Sequence, residues 1–258
     1  MNKTKEKIKA GIPVIGTSVT IDNEKSNLIM ANSGFDFLLL DMQHSTMTVE
    51  VLDRIVGRLL QGDSDVIVRV LWNDGPLINQ TFDIGADGVI IPMVNSAREA
   101  ADAVRFSKYD PKGTRSWTPL RPEKYGGPDS YFRVANDELL VLPQIETTEA
   151  IEELDNILAV DGLDGVLMGP GDLAISLGHS PDMGYNINVP EVMEAMAQVQ
   201  VRCEDKGVPF GTFTGPMENA EYWVGRGAKI VITEIDLSFL ESGAAKARDR
   251  IYSTLEGK

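Results

Sequence analysis

The chain has 258 residues, of which 43% are apolar, and this is the size of one ordinary domain with a large core. Its 39 acidic and 24 basic residues give a net charge of −15, which argues against a nucleic acid or an anionic membrane as partner. Cys203 is the only cysteine, so an intrachain disulfide and a cysteine-based metal centre are excluded and we expect a cytoplasmic protein. No apolar run reaches the roughly 20 residues that a membrane helix needs.

Eight short apolar runs recur along the chain, each followed by a segment of helical periodicity. The runs occupy residues 13–19, 36–41, 66–70, 88–94, 139–146, 165–170, 208–213 and 229–235. Their near-continuous apolarity indicates strands that are covered on both faces, as in a closed parallel sheet. The pattern therefore predicts an α/β fold, a single (β/α)8 or TIM barrel, over residues 1–258.

Helices are expected between these runs, among them residues 48–61, 96–109, 147–160 and 189–207. Ser96 and Glu99 form a capping-box pair, and Gly62 and Gly207 stand where helix C-caps are expected. An open, doubly wound sheet is the alternative fold. It is disfavoured because the first turn, GIPVIGTSVT, lacks the G-x-G-x-x-G pattern that such sheets use.

One long connection, from about residue 110 to 137, interrupts the alternation. It is rich in proline and carries Arg115, Trp117 and Arg121. Loops of this length in a compact barrel are usually functional or disordered. We interpret it as an active-site loop, with a plain insertion as the alternative.

Two carboxylates follow neighbouring strands, because Glu146 and Asp172 are separated by one βα unit. In parallel barrels the chemistry lies where strands end, so we expect the two to face one another. Facing carboxylates repel unless a proton or a cation lies between them, and a hard divalent ion with oxygen ligands removes that repulsion. The alternative is that each acid caps a following helix.

Other polar residues stand at strand ends as well. His44 follows the second strand and is suited to act as a general base, with Asp41 orienting its imidazole; a loop histidine bonded to backbone is the alternative. Arg69 lies inside the apolar run VIVRV and forms either a buried salt bridge or, as we favour, a contact that stabilises a developing oxyanion. The turn that precedes Asp172 offers backbone N–H groups to a carboxylate.

Taken together, these residues resemble the HpcH/HpaI aldolase family, class II pyruvate aldolases such as 4-hydroxy-2-oxoheptanedioate aldolase and 2-keto-3-deoxy sugar acid aldolases. The resemblance covers most of the chain. It runs through GFDFLLLDMQHS, VIVRV, FDIGADGVIIPMVNSAREA, YDPKGTRS and LPQIETTEAIEELDNILAVDGLDGVLMGPGDLAISLG. The order and spacing of so many motifs make it specific. One departure is Gln43, where the family often has an acidic residue.

The resemblance implies a role for individual positions. It implies that Glu146 and Asp172 bind a divalent metal, Mg²⁺, Mn²⁺ or Co²⁺, and that Arg69 stabilises an enolate. It also implies that His44 accepts a proton and that Asp83 raises the basicity of this histidine. Our strand assignment places Asp83 away from its own barrel mouth, so the histidine would be that of a neighbouring subunit; a turn aspartate before Ile84 and Gly85 is the alternative. The expected substrate contacts are Gln144, Gly169, Pro170 and Gly171, to which we add Arg115 and Trp117 from the long loop.

We therefore expect a lyase that cleaves or forms 4-hydroxy-2-oxo acids, giving pyruvate and an aldehyde through a pyruvate enolate held at the metal. The resemblance also implies a homo-oligomer, commonly a hexamer whose assembly the C-terminal helix assists. Two alternatives stay open: a lyase of the citrate lyase β-subunit or malyl-CoA type, and a barrel that binds a 2-oxo acid without turning it over.

Overall fold

The structure is a computed structural model that describes residues 1–179, 189–215 and 217–256. Consecutive strands pair in parallel and the last pairs with the first, so the sheet closes into a barrel in the order β1 to β8. The predicted (β/α)8 class and all eight predicted strands are confirmed. The strands are β1 Val14–Val19, β2 Phe37–Asp41, β3 Asp65–Arg69, β4 Gly88–Ile91, β5 Leu140–Ile145, β6 Val166–Met168, β7 Phe210–Gly215 and β8 Ile230–Ile235.

Helices alternate with these strands and surround the barrel. They are α1 Lys3–Lys9, α2 Glu24–Ala31, α3 Val49–Leu59, α4 Gly75–Asp83, α5 Ala97–Ser107, α6 Pro128–Glu138, α7 Thr148–Glu152, α8 Leu154–Leu158, α9 Pro170–Ser176, α10 Pro190–Lys206, α11 Met217–Gly225 and α12 Asp236–Glu256, with a 3-10 helix at Glu123–Tyr125. Within the described ranges, no helix is both long enough and apolar enough to cross a membrane.

Most of the predicted helix boundaries are confirmed. Ser96 caps α5, its hydroxyl oxygen accepting the Glu99 N–H at 3.3 Å, and Gly207 ends α10 with a φ of +68°. The segment predicted as one helix over 147–160 is divided at Glu153 into α7 and α8. The assignment of Gly62 as a C-cap was wrong, because α3 ends earlier; a Cβ at Gly62 would lie 2.4 Å from a backbone oxygen, so close packing requires the glycine.

Side chains along each strand alternate between two apolar cores. Phe37 and Leu39 of β2 belong to a cluster inside the barrel, whereas Leu38 and Leu40 pack in the layer between the barrel and its helices. Burial of both faces explains why the strands have no polar alternation in the sequence. The same period of two directs Asp41, at the end of β2, towards the barrel interior.

A short N-terminal helix that the sequence analysis did not predict, α1, closes the amino end of the barrel. Ile8 joins the inner cluster, and the backbone N–H of Thr4 donates to Asp65 Oδ2 at 2.6 Å. Lys5 Nζ lies 2.7 Å from Asp164 Oδ1, just before β6. The opposite, carboxyl end of the strands is therefore the end that is left for a site.

The long connection over residues 110–137 lies at the closed end. Lys124 Nζ lies 2.7 Å from carboxylate oxygens of both Asp65 and Asp87, at the starts of β3 and β4. The second half of the connection is not a loop but α6. This segment therefore lies at the opposite end of its own barrel from Glu146, and it does not cover the active site of its own chain. That it covers the active site of a neighbouring subunit stays a prediction.

Candidate active site

Alternation along the strands brings polar side chains to the open end of the barrel. In β5, Leu142 belongs to the inner cluster, and Gln144 and Glu146 follow it at intervals of two residues. In β3, Arg69 follows the inner residue Ile67 in the same way. Strand periodicity alone thus directs an amide, a carboxylate and a guanidinium towards one region.

Glu146 is the most deeply buried acid of this group, with none of its surface exposed. One carboxylate oxygen accepts the Met93 N–H at 2.7 Å, and the other accepts a hydrogen bond from the Gln144 amide. Burial, and to a lesser degree the negative charge of Asp172, raise the pKa of Glu146 to about 7 against the opposing effects of Met93, Arg69 and Gln144. Glu146 and Asp172 are therefore close enough to repel.

The backbone around Glu146 is fitted closely to it. A Cβ at Gly169 would lie 2.3 Å from Glu146 Oε2 and 2.6 Å from Gln144 Nε2, so only glycine fits there. Met93, which donates to Glu146, has a φ of +55°, an uncommon conformation for a non-glycine residue. The amide oxygen of Gln144 is buried without a hydrogen-bond partner among the described residues, which leaves an acceptor for a ligand.

Arg69 and Asp41 form an ion pair with two hydrogen bonds, Nε to Oδ1 at 2.9 Å and Nη2 to Oδ2 at 2.5 Å. The guanidinium carbon also lies 4.9 Å from the ring centre of Phe213 on β7, across the barrel. Asp41 thus orients Arg69, and the structure shows no hydrogen bond from it to His44 within the described ranges. Three of the five N–H donors of Arg69 are left for other partners.

Asp172 lies in the first turn of α9, directly after the turn formed by Gly169, Pro170 and Gly171. Its side chain is half-buried. The turn hydrogen-bonds to β5, since the Gly169 N–H donates to the carbonyl of Ile145 at 3.0 Å. This places the predicted substrate-binding turn beside the residues around Glu146.

His44 is exposed in the turn that follows β2. Its side chain has no hydrogen-bond partner in the part of the chain that the structure describes. Next to it, the backbone N–H of Gln43 donates to Asp41 Oδ1 at 3.0 Å, while the Gln43 side-chain oxygen is buried and unpartnered. The general-base role of His44 stays a prediction.

Three predicted site residues lie elsewhere in the chain's own fold. Asp83 ends α4, and Arg115 Nη2 lies 2.8 Å from its Oδ1. The Arg115 side chain is fully buried and also donates to the Tyr131 hydroxyl at 2.9 Å. Trp117 is partly exposed and packs on Tyr109, with ring centres 5.6 Å apart. None of the three joins Glu146 within one chain.

A hollow of about 410 Å³ lies at the carboxyl ends of β1, β7 and β8. It includes Phe213, which contacts Arg69, and Glu234, whose φ is +53°. The sequence analysis missed Glu234, although the inner residues Ile230 and Ile232 predict by the same period of two that it points inward. The sequence analysis also missed Met93, because Met93 donates to Glu146 through its backbone N–H, which residue type does not reveal.

No group of three or more histidine, cysteine, aspartate or glutamate side chains is gathered at metal-ligand spacing among the described residues. The candidate site therefore offers two carboxylates at most. That number fits a hard cation such as Mg²⁺, which characteristically takes one or two carboxylates and completes its shell with water and substrate.

Comparison with known proteins gives consistent matches over nearly the whole chain. The family model described as HpcH/HpaI aldolase/citrate lyase matches residues 18–241. A 4-hydroxy-2-oxo-heptane-1,7-dioate aldolase of Escherichia coli is 35% identical over 247 residues, 94% of this chain and 92% of that protein. The HpcH/HpaI aldolase from Desulfitobacterium hafniense DCB-2 is 31% identical with a TM-score of 0.85, covering 96% of this chain and 95% of that one. An HpcH/HpaI aldolase/citrate lyase family protein from Burkholderia cenocepacia J2315 is 26% identical with a TM-score of 0.89, covering 98% of this chain and 100% of that one.

The closed barrel with polar strand ends defines an enzyme of the TIM-barrel class. The matches narrow the class, since the family model spans most of the chain and a relative is 35% identical over nearly all of it. The chain belongs to the HpcH/HpaI aldolase/citrate lyase family and is a carbon–carbon lyase, as the resemblance predicted.

Proposed function

We propose that the chain is a divalent-metal-dependent aldolase that cleaves or forms 4-hydroxy-2-oxo acids, with pyruvate and an aldehyde as the other side of the reaction. The observation that carries the proposal is the fully buried Glu146, whose carboxylate lies close enough to Asp172 for repulsion and within the influence of Arg69. The Escherichia coli relative, named as an aldolase of this chemistry, supports it.

Glu146 and Asp172 would hold the metal, Mg²⁺, Mn²⁺ or Co²⁺. Two repelling carboxylates, one of them buried, are stabilised by a cation, and the absence of a side chain at Gly169 leaves space beside Glu146 Oε2, the oxygen that also accepts from the Gln144 amide. A divalent ion bound there supplies positive charge to the carboxylate and keto oxygens of a 2-oxo acid. Gln144, with its unpartnered amide oxygen, and the turn Gly169, Pro170 and Gly171 would line the pocket around that acid.

The side chains of the site would then transfer a proton and stabilise the enolate that forms when the carbon–carbon bond breaks. In cleavage, His44 accepts the proton of the 4-hydroxyl group, the C3–C4 bond breaks, and its electrons form the enolate of pyruvate while the aldehyde leaves. Arg69, held by Asp41 and Phe213, donates hydrogen bonds to the enolate oxygen. A proton delivered to C3 completes pyruvate.

A homo-oligomer, with a hexamer as the expected form, would complete this site. Asp83 and Trp117 lie away from the mouth of their own barrel, so they would serve the site of a neighbouring subunit, where Asp83, held by the fully buried Arg115, would raise the basicity of His44. Exposed apolar side chains support such contacts: Leu120 near Trp117 in the chain is 61% exposed, and α12 exposes an apolar series, Leu237, Leu240, Ile251, Tyr252 and Leu255.

The test is pyruvate release from a panel of 4-hydroxy-2-oxo acids by protein treated with EDTA and then supplied with Mg²⁺, Mn²⁺ or Co²⁺. We expect release to stop without metal and to return with it, but not to return in Glu146→Gln. His44→Ala should stop turnover without loss of the fold, which circular dichroism checks. Full activity after metal removal would contradict the metal requirement, and no pyruvate from any member of the panel would contradict the reaction.

A further inference from the structure

A cavity of about 360 Å³ lies at the amino end of the barrel, opposite the candidate active site. Its walls come from α1, from the end of α5 and the residues that follow it, from α6, and from the loop before β6. Four lysines line it: Lys5, Lys9, Lys108 and Lys112. In a chain with a net charge of −15, so many ammonium groups around one hollow form a local cationic site.

Two of these ammonium groups are buried together. The exposed fractions of Lys5 and Lys108 are only 5% and 3%. Both donate to the same backbone oxygen, that of Leu139, at 2.8 and 3.1 Å. Since each nitrogen is about 3 Å from that oxygen, the two positive charges are no more than about 6 Å apart and repel one another.

The carboxylates of the cavity do not balance these charges evenly. Asp164 pairs with Lys5 at 2.7 Å, and Asp137 pairs with Lys112 at 2.8 Å. Lys108 donates to backbone oxygens alone, and within the described ranges no carboxylate lies within salt-bridge distance of it. Burial of a charge without a counter-charge is costly.

Lys108 has one N–H donor beyond its two hydrogen bonds, to Asn136 O at 2.7 Å and Leu139 O at 3.1 Å, because an ammonium carries three. Burial, and next the positive charge of Lys5, lower the pKa of Lys108 to about 8. Lys9, on the exposed side of the cavity, donates among the described residues only to the backbone oxygen of Asp137, at 3.5 Å. An anion would complete the hydrogen bonding of Lys108 and offset the charge of both lysines.

We propose that this cavity binds a small oxyanion of the phosphate class, inorganic phosphate or the phosphate group of a small metabolite, between Lys108 and Lys9. The four lysines and three aspartates that line the cavity leave a net charge of +1, which a singly charged oxyanion matches, and its several oxygens accept from more than one donor. Asp161 on the wall of the cavity disfavours larger polyanions by repulsion. The cavity is separate from the metal site, so this proposal does not depend on the proposed aldolase reaction.

The test is equilibrium dialysis of inorganic phosphate, and in parallel of glycerol phosphate, against the full-length protein loaded with Mg²⁺ at constant ionic strength. We expect one bound anion per chain. Lys108→Met, which keeps the length of the side chain and removes its charge, should weaken binding at least tenfold, about 1.4 kcal/mol. Tighter binding of the monoester would identify a metabolite phosphate as the ligand, and equal binding would identify inorganic phosphate.

Two further variants test whether the phosphate binds in this cavity. Arg69→Met removes the guanidinium at the opposite end of the barrel and should leave phosphate affinity within about twofold. Lys9→Gln changes an exposed residue that makes one long hydrogen bond, 3.5 Å, among the described residues, and it should weaken binding about threefold. This variant tests the location if Lys108→Met fails to fold. The proposal is overturned if the wild-type protein binds no phosphate, if neither lysine variant weakens binding, or if Arg69→Met weakens it as much as Lys108→Met does.

Discussion

Arg69 and Asp41 stand side by side at the ends of two paired strands, and the register of the barrel aligns them directly. Their side chains are only 11% and 14% exposed, and two hydrogen bonds fix the plane of the guanidinium. An arginine held in this way offers donors in a set direction, which is how a site stabilises charge that develops during a reaction. Asp41 is therefore a positioning residue.

Replacing Asp41 by asparagine should lower kcat about tenfold or more and leave the affinity for Mn²⁺ within about twofold, because the orientation of Arg69 is lost and the two carboxylates of the metal site remain. Arg69→Lys should lower kcat further, since an ammonium cannot reproduce the planar pair of bonds. Steady-state kinetics with 4-hydroxy-2-oxo acids and Mn²⁺ titrations separate the two effects. An unchanged kcat in Asp41→Asn would contradict the positioning role.

Gly169→Ala should weaken metal and pyruvate binding together. The added Cβ would lie 2.3 Å from Glu146 Oε2, so the carboxylate must move. We expect at least a tenfold loss of Mn²⁺ affinity, measured by titration. Gly225→Ala is the matched control, because nothing lies within 4 Å of its Cβ position, and equal behaviour of the two variants would refute the argument.

The contribution of Lys108 to stability should rise with pH. Its folded-state pKa is lowered from 10.5 to about 8, so between these values the unfolded chain binds more protons than the folded chain. The free energy of unfolding of the wild-type protein, relative to that of Lys108→Met, should therefore increase between pH 7 and pH 9.5. Urea unfolding in phosphate-free buffer measures it, with Lys206→Met as the control for loss of an exposed lysine; a constant difference would contradict the shifted pKa.

Glu234 should select against aldehydes that end in a carboxylate. Its side chain lines the hollow of about 410 Å³ together with Phe213, the residue that contacts Arg69, and the part of a 4-hydroxy-2-oxo acid beyond C4 would lie there. Glu234→Gln removes the negative charge and should raise kcat/KM for an anionic aldehyde, relative to glycolaldehyde, by roughly threefold to tenfold. Glu221→Gln, on exposed α11, is the control. If the ratio of kcat/KM for the anionic aldehyde to that for glycolaldehyde is the same in the wild-type protein and in both variants, Glu234 does not contact the substrate.

Mixing subunits should reveal whether Asp83 acts on a neighbouring site. Asp83→Ala and His44→Ala should each be nearly inactive alone. Dissociated, mixed in equal amounts and reassembled, they should recover activity in roughly a quarter of the sites, those that combine an intact His44 with an intact Asp83 of another subunit. Mixtures that stay inactive, although gel filtration shows that they reassembled, would contradict the shared site.

The residue pattern alone was enough to predict the fold class and the side chains at the strand ends. Eight apolar runs separated by helical segments leave few arrangements other than a closed parallel barrel, since strands buried on both faces need helices outside and one another inside. The period of two then directs Arg69, Gln144 and Glu146 to the open end, because an inward residue two positions earlier fixes the direction of each.

The contacts among those side chains became known from the folded chain and not from the residue pattern. Asp41 orients Arg69 through the β2–β3 register, and the backbone N–H of Met93 reaches Glu146 from a different loop. Both depend on contacts between distant segments, which local residue patterns do not encode. The position of residues 110–137 at the amino end of the barrel also depends on contacts between distant segments. Lys124 forms ion pairs with Asp65 and Asp87, and ion pairs between segments so far apart in sequence form only once the barrel has closed.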